Sequence, residues 1–299
     1  MAAPFQYAAS GDLGSHGGSY QIAGVADFNG DGTADVLWRD PASGKLDEWQ
    51  LQNGNWSKSI DLGSHGAGWT VAATGDFNGD GASDILFRET ATGKLDAWIM
   101  KNGQWSKSID LGSHGTDWKV IGAGDFDGDH DSDILFQNTT TGATDQWVMS
   151  GGNWSGSKSL GSHSTAYSSA AIGDFDGDGT SDVLWYNPAN GAVEQWHMQA
   201  GNWSGTIDLG SYNAAYQLAA VNDFNGDGTS DVLWRNPSSG QVEGWVMDHG
   251  QWKSSVSLGS FNTAWTLAGT GDFNHAGGAD VLWHNAATGQ VGTWLLGAA

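Results

Sequence analysis

The apolar residues of this chain come in short runs that are too brief, and too rich in β-branched and aromatic side chains, for helices. The stretch from 67 to 114 shows the pattern. A small-residue strand, Trp69–Thr74, runs into an Asp/Gly loop spanning Asp76–Asp84. A second strand follows at Asp84–Arg88, then a turn through Thr90–Gly93 and a third strand at Lys94–Met100. Asn102-Gly103 is a strong hairpin signal, and a fourth strand at Trp105–Leu111 ends at Gly112. The prediction is four antiparallel strands, A to D, joined by tight turns.

This pattern repeats. The tripeptide Asp-Phe-(Asn/Asp) begins at Asp27, Asp76, Asp125, Asp174, Asp223 and Asp272, a step of 49 residues each time. The same step carries Trp49 to Trp98, Trp147, Trp196, Trp245 and Trp294, and His16 to His65, His114 and His163, then to Tyr212 and Phe261. Four-stranded units at this period are the signature of propeller blades. The expectation is an all-β, six-bladed β-propeller forming a single domain over 1–299, with four antiparallel strands per blade. The blades fall at about 18–65, 67–114, 116–163, 165–212, 214–261, and 263–299 with 6–14. Tyr7 to Leu13 aligns on Trp56 to Leu62, so the N-terminal strand should supply the D strand of the last blade and close it. Strand A is built from small residues (Ala72, Ala73; Ala219, Ala220), as crowding near a propeller axis requires. Val36-Leu37-Trp38 and Ile85-Leu86-Phe87 supply apolar groups on both faces of strand B, which stacked blades need.

Composition narrows the function. Acids outnumber bases 34 to 11, for a net charge of −23, which argues against nucleic acid and against insertion into or binding of anionic membranes. No apolar run approaches the ~20 residues of a membrane span. The start, MAAPFQYAAS, has no basic-then-apolar leader, which says little about location. With no cysteine there is neither a disulfide nor a thiolate metal site.

Twenty of the acids lie in the six A–B loops. In the first loop, Asp27, Asn29, Asp31 and Asp35 stand at positions 1, 3, 5 and 9, with the main-chain carbonyl of Thr33 at position 7. That oxygen set suits a hard cation of calcium size, and Gly32 permits the sharp turn. The equivalents are Asp76, Asn78, Asp80, Ala82 and Asp84; Asp125, Asp127, Asp129, Asp131 and Asp133; Asp174, Asp176, Asp178, Thr180 and Asp182; and Asp223, Asn225, Asp227, Thr229 and Asp231. An EF-hand is excluded, because no Glu stands at position 12 and the flanks are strands. The alternative is a set of Asx turns needing no metal. His130 replaces the turn glycine of the third loop without removing a carboxylate. The sixth loop, with Asn274-His275-Ala276 between Asp272 and Asp280, loses the position-5 carboxylate and is expected to hold no calcium. About five ions are expected, at the moderate affinities of extracellular modules.

DFNGDGTADVLWRD, DFNGDGASDILFRE and DFNGDGTSDVLWRN resemble the FG-GAP/VCBS repeats of integrin-α-like propellers, and the match recurs in every unit. The resemblance implies a calcium-stabilised extracellular binding propeller, secreted or at the cell surface. Some members are propeller lectins that hold monosaccharides between blades, and others are adhesion modules.

In an up-down meander, the D–A loop and the B–C turn share one end of the propeller. There the chain gathers His16, Tyr20, Trp38 and Arg39; His65, Trp69 and Arg88; His114 and Trp118; His163, Tyr167 and Trp185; Tyr216, Trp234 and Arg235; and Trp265. An aromatic plate beside His, Arg and Ser donors is what a sugar needs, and repetition would make binding multivalent. The expected partners are therefore glycans or glycoconjugates. The plainer reading makes the strand-C tryptophans and half of the strand-B aromatics inter-blade core, and the strand-D tryptophans a cover for the outer edge. Asp61, Ser64 and His65 do not make a catalytic triad, since neighbouring strand residues point oppositely and the element recurs in four units. No enzyme activity is expected. The rival functions are an integrin-like adhesion or protein-binding scaffold, and an idealised repeat protein without a ligand.

Overall fold

The computed structural model describes residues 4–298, built of strands joined by turns, bends and irregular loops, with no helix among them. The expected domain limits at 1–3 and 299 lie outside the described residues. The first strand is β1 (Phe5–Ser15). Blade 1 is β2 (Gln21–Ala26), β3 (Asp35–Arg39), β4 (Lys45–Gln52) and β5 (Asn55–Ser64). Blade 2 is β6 (Trp69–Gly75), β7 (Asp84–Glu89), β8 (Lys94–Lys101) and β9 (Gln104–Ser113). Blade 3 is β10 (Trp118–Gly124), β11 (Asp133–Asn138), β12 (Ala143–Ser150) and β13 (Asn153–Ser162). Blade 4 is β14 (Ser169–Gly173), β15 (Asp182–Tyr186), β16 (Ala192–Gln199) and β17 (Asn202–Ser211). Blade 5 is β18 (Gln217–Asn222), β19 (Asp231–Arg235), β20 (Gln241–Asp248) and β21 (Gln251–Ser260). Blade 6 is β22 (Thr266–Gly271), β23 (Asp280–Asn285) and β24 (Gln290–Ala298), completed by β1. This is the six-bladed β-propeller the repeat predicts, with Phe5 to Ser15 running antiparallel to β24.

The strands group into two compact units. One holds blades 1 to 3 apart from the 53–55 turn, and the other holds blades 4 to 6 with β1. Within each unit, the cores form between successive blades. Ile85 and Leu86 are both fully buried, but Ile85 packs with Phe28, Leu37 and Trp98, whereas Leu86 packs with Phe77, Ile134 and Phe136. Neighbouring strand residues face opposite ways, so the central residues of a B strand sandwiched between two sheets must be apolar on both faces. The second unit repeats this, with Phe175, Leu184 and Trp234 in one cluster and Phe224, Leu233 and Trp283 in the next. The A strands are half-buried throughout.

The B–C turns need glycine. Gly191 and Gly240 have φ of 79° and 75°, and a Cβ on either would lie 1.9 Å from the carbonyl oxygen of Tyr212 or Phe261. The same tight contact brings an amide to each turn carbonyl, from His114 to Gly93 at 3.0 Å and from Phe261 to Gly240 at 2.9 Å. Each D–A loop is thereby held against its own blade's B–C turn.

Phe5 is 1 % exposed and packs on Phe224, centroid to centroid 5.3 Å. Phe5→Ala should therefore cost about 3–5 kcal/mol in urea unfolding. Tyr7→Ala, at a residue 44 % exposed, should cost far less. Equal costs would contradict the pairing of β1 described here.

Candidate functional site

The A–B loops share one internal bonding scheme. Asp27 Oδ1 accepts the amides of Asn29, Gly30 and Asp31 at 3.3, 2.7 and 3.2 Å, and Oδ2 accepts that of Gly32 at 2.7 Å. Asp125, Asp174 and Asp223 repeat much of this scheme, and so does Asp272 of the sixth loop. The position-1 aspartate thus folds its loop through Asx-type bonds. The position-9 aspartate closes the loop onto the blade. Asp35, Asp84, Asp133, Asp182, Asp231 and Asp280 are each 0 % exposed. Each accepts the amide of the residue 16 positions on, in strand C, at 2.7–3.0 Å. Neighbouring loops are also tied together, the amides of Ser83 and Ser132 donating to the carbonyls of Asp27 and Asp76, and Ser230 to Asp174.

Positions 1, 3 and 5 converge in the two loops that carry three aspartates there. Carboxylate oxygens of Asp125, Asp127 and Asp129 lie within 4.8 Å of one another, as do those of Asp174, Asp176 and Asp178. Asp127 Oδ1 and Asp231 Oδ2 are buried without a hydrogen-bond donor. A buried carboxylate oxygen lacking a donor is costly unless a cation meets it, so these donor sets fit a hard ion. In the sixth loop the buried Oδ1 of Asn274 is likewise without a donor. His130 takes the left-handed conformation of the glycine it replaces, with φ 73°.

Electrostatics point the same way. Burial pushes the position-9 carboxyls far above their ordinary range, to about 8 for Asp35 and Asp231 and about 7 for Asp84, Asp133, Asp182 and Asp280. Backbone amides oppose the rise, while neighbouring loop carboxylates add to it.

Within each unit, the opposite ends of successive blades meet in packed ring clusters. His65 stacks on Phe87 at 4.2 Å, meets Trp69 edge-on at 4.7 Å, and places Nε2 2.5 Å from Asp96 Oδ2. His114 repeats this with Phe136, Trp118 and Asp145, its Nε2 3.0 Å from the carboxylate. Tyr212 and Tyr216 both donate to Glu243, and Tyr167 donates to Glu194. Burial raises the Tyr212 hydroxyl, with Glu243 adding to it, and hydrogen bonding to Glu194 lifts Tyr167 to about 12.

Trp38, Trp185 and Trp234 are 0 % exposed, so the ligand contact expected of them gives way to a packing role against Trp49, Trp196 and Trp245. Arg39 and Arg88 are buried too, and their guanidiniums donate to the carbonyls of Gly66 and of His114 and Gly115. They thereby brace the D–A loops from strand B. Arg235 lies 5.0 Å over the Trp283 ring and reaches the Asn262 carbonyl. His16, Tyr20 and Trp265 are half-buried, and His163 is buried.

The acids facing these rings are what sequence reasoning missed. Asp47, Asp96, Asp145, Glu194 and Glu243 follow the 49-residue step, but the sixth place is Gly292, and there the ring facing it is Phe261, which cannot hydrogen-bond. Acid and polar ring disappear together, a signal present in the sequence. The result is a cavity of about 240 Å³ lined by Phe261, Trp265, Trp294, Asp12, Gln290 and Thr293, among others. Thr293 Oγ1 is buried without a hydrogen-bond partner. On the outer strands, Trp56, Trp105, Trp154, Trp203 and Trp252 are 47–49 % exposed, each beside a strand-C tryptophan.

Six four-stranded sheets, each opened by an acidic nine-residue turn, define a repeat propeller with acidic A–B loops. The model of the FG-GAP-like repeat matches residues 27–87 and 76–136, and that of the FG-GAP repeat matches 166–207 and 214–247. The chain belongs to the FG-GAP repeat family. No curated protein matches it significantly by sequence. Among solved structures, it is similar to the Tc holotoxin pore of Photorhabdus luminescens, with 16 % identity and a TM-score of 0.63. That match covers 98 % of this chain but only 15 % of the toxin chain. An Agrocybe aegerita lectin that recognises non-reducing terminal N-acetylglucosamine matches at 15 % identity and TM-score 0.62, covering 91 % of this chain and 78 % of the lectin. Regucalcin of Agrobacterium tumefaciens, a calcium-binding protein, matches at 14 % identity and TM-score 0.57, covering 98 % and 95 %. At these identities the likeness is one of fold.

The raised carboxyls fix the sign of a pH response. Their folded values exceed the ordinary carboxyl value of about 3.9, so without a cation the folded state binds more protons than the unfolded chain between about pH 4 and 8. In chelator, the melting temperature should fall as pH rises through that window. A melting temperature that climbs from pH 5 to pH 8 in chelator would contradict the burial described here.

Proposed function

We propose that this protein is a calcium-stabilised glycan-binding propeller, acting by recognition rather than catalysis. The observation that carries the reading is the inter-blade cavity at Phe261, Trp265 and Trp294. It offers apolar ring faces for a pyranose, with Asp12 and Gln290 beside them for hydroxyl groups. Where His65, His114 and Tyr212 pair with Asp96, Asp145 and Glu243, that space is filled by protein groups. The Phe261 pocket is therefore the primary site, and the paired interfaces are weaker secondary ones. The shared fold with the N-acetylglucosamine-recognising lectin supports a glycan as the class of ligand. Calcium would be held by the carboxylate and carbonyl oxygens of the loops beginning at Asp27, Asp76, Asp125, Asp174 and Asp223. There it would neutralise the acid cluster, taking the net charge from −23 toward −13. Loops filled at millimolar calcium would suit a life outside the cytoplasm, secreted or on a surface.

A second reading, a protein-contact module, is favoured by the half-exposed tryptophans of the outer strands. A glycan array separates the two. We expect binding to a defined terminal sugar that Trp265→Ala weakens by roughly tenfold or more. Gly292→Glu, which copies Glu243 into the cavity, should abolish binding while leaving the melting temperature near that of the wild type. A blank array from folded, calcium-loaded protein would reject glycan binding. Sugar binding unaffected by G292E would place the site elsewhere.

A further inference from the structure

Blade 4 departs from its neighbours at one position of its third strand. β16 carries His197 where the other blades have Gln50, Ile99, Val148, Val246 and Leu295. His197 Nδ1 lies 3.0 Å from Asp176 Oδ2 and 3.4 Å from Asp182 Oδ1. Single donor atoms from all three residues fall within 4.8 Å of one another. That nitrogen is sealed from solvent and is not aligned for a hydrogen bond to either carboxylate. Asp182 is fully buried and rigidly held, its Oδ2 accepting from the Gln195 amide at 3.0 Å and its Oδ1 from the Met198 N–H at 2.8 Å. Outer contacts of this kind orient a ligating carboxylate.

The spacing has a simple meaning. Two donor atoms, each about 2.1 Å from one ion, stand ~3.0 Å apart at a right angle and ~3.4 Å apart at the tetrahedral angle. Imidazole nitrogen is a poor partner for calcium, which takes oxygen ligands, and a good one for zinc and its first-row neighbours. A groove of about 340 Å³ reaches Asp176 from solvent, lined also by Asp227, Thr229, Asp248 and His249, and its acidity suits the entry of a cation. We propose that Asp176, Asp182 and His197 form a transition-metal site specific to blade 4, selective for zinc-type ions, where the other loops set no buried imidazole nitrogen among their acids. It deepens the metal reading of the loops at one blade, yet needs no calcium in the rest.

The test uses chelator-treated full-length protein titrated with Co²⁺ and followed by visible absorption, then challenged with Zn²⁺. We expect a saturable band at one equivalent that Zn²⁺ displaces. His197→Val, which copies Val148 and Val246, should weaken both metals by roughly tenfold or more. Its melting temperature in chelator should stay close to that of the wild type. Should that variant fail to fold, His197→Gln, matching Gln50, gives the same readout. Absence of a saturable band, or equal affinity in wild type and variant, overturns the site. A calcium titration run in parallel keeps the readings apart, because a Co²⁺ band that needs His197 supports this site even if no loop takes calcium.

Discussion

In every blade a single carboxylate holds the acidic loop to the sheet beside it. Asp35, Asp84, Asp133, Asp182, Asp231 and Asp280 are removed from water and spend one oxygen on a strand-C amide. That bond fixes where the loop sits, and in five of the six the remaining oxygen accepts a further amide, as from Phe77 to Asp84 and from Gln195 to Asp182, with the loop's other acids close by. Burying an anion among anions is unfavourable unless it is protonated or neutralised by a cation. The blades therefore share one electrostatic problem, and the oxygen-rich turns are arranged as its solution. Even the sixth loop, stripped of its central carboxylate, keeps Asp280 and the bonds around Asp272. Loop architecture is thus fixed by positions 1 and 9 and does not depend on the central carboxylate.

Almost the whole fold was legible in the sequence, because repetition turns weak local signals into strong ones. Asn102-Gly103 alone is only a hairpin signal, but a four-strand pattern recurring at 49 residues admits few architectures. The alignment of Tyr7 on Trp56 placed the N-terminal strand in the last blade, where it pairs with β24. The acidic loops were equally readable, since their spacing is local.

The opposite end was read less completely, for a physical reason. Its contacts join residues about thirty positions apart on different sheets, as with His65 and Asp96. Local spacing does not reveal such partners. Conserved aromatic character also hides two fates, for Trp38 is wholly enclosed while Trp69 is half-exposed. The informative positions are those where the repeat breaks. Gly292 with Phe261 opens a cavity, and His197 brings nitrogen to an oxygen site. Fold likeness at 15 % identity carries no ligand by itself, and these departures are where function has room to differ between blades.

The central claim is that divalent ions neutralise the loops. Calorimetric titration of calcium into chelator-treated protein near neutral pH tests it most directly. The account predicts saturable binding of about five equivalents per chain, with a large rise in melting temperature on loading. No heat of binding, together with a melting curve indifferent to calcium, would show that the loops are held by their internal hydrogen bonds alone.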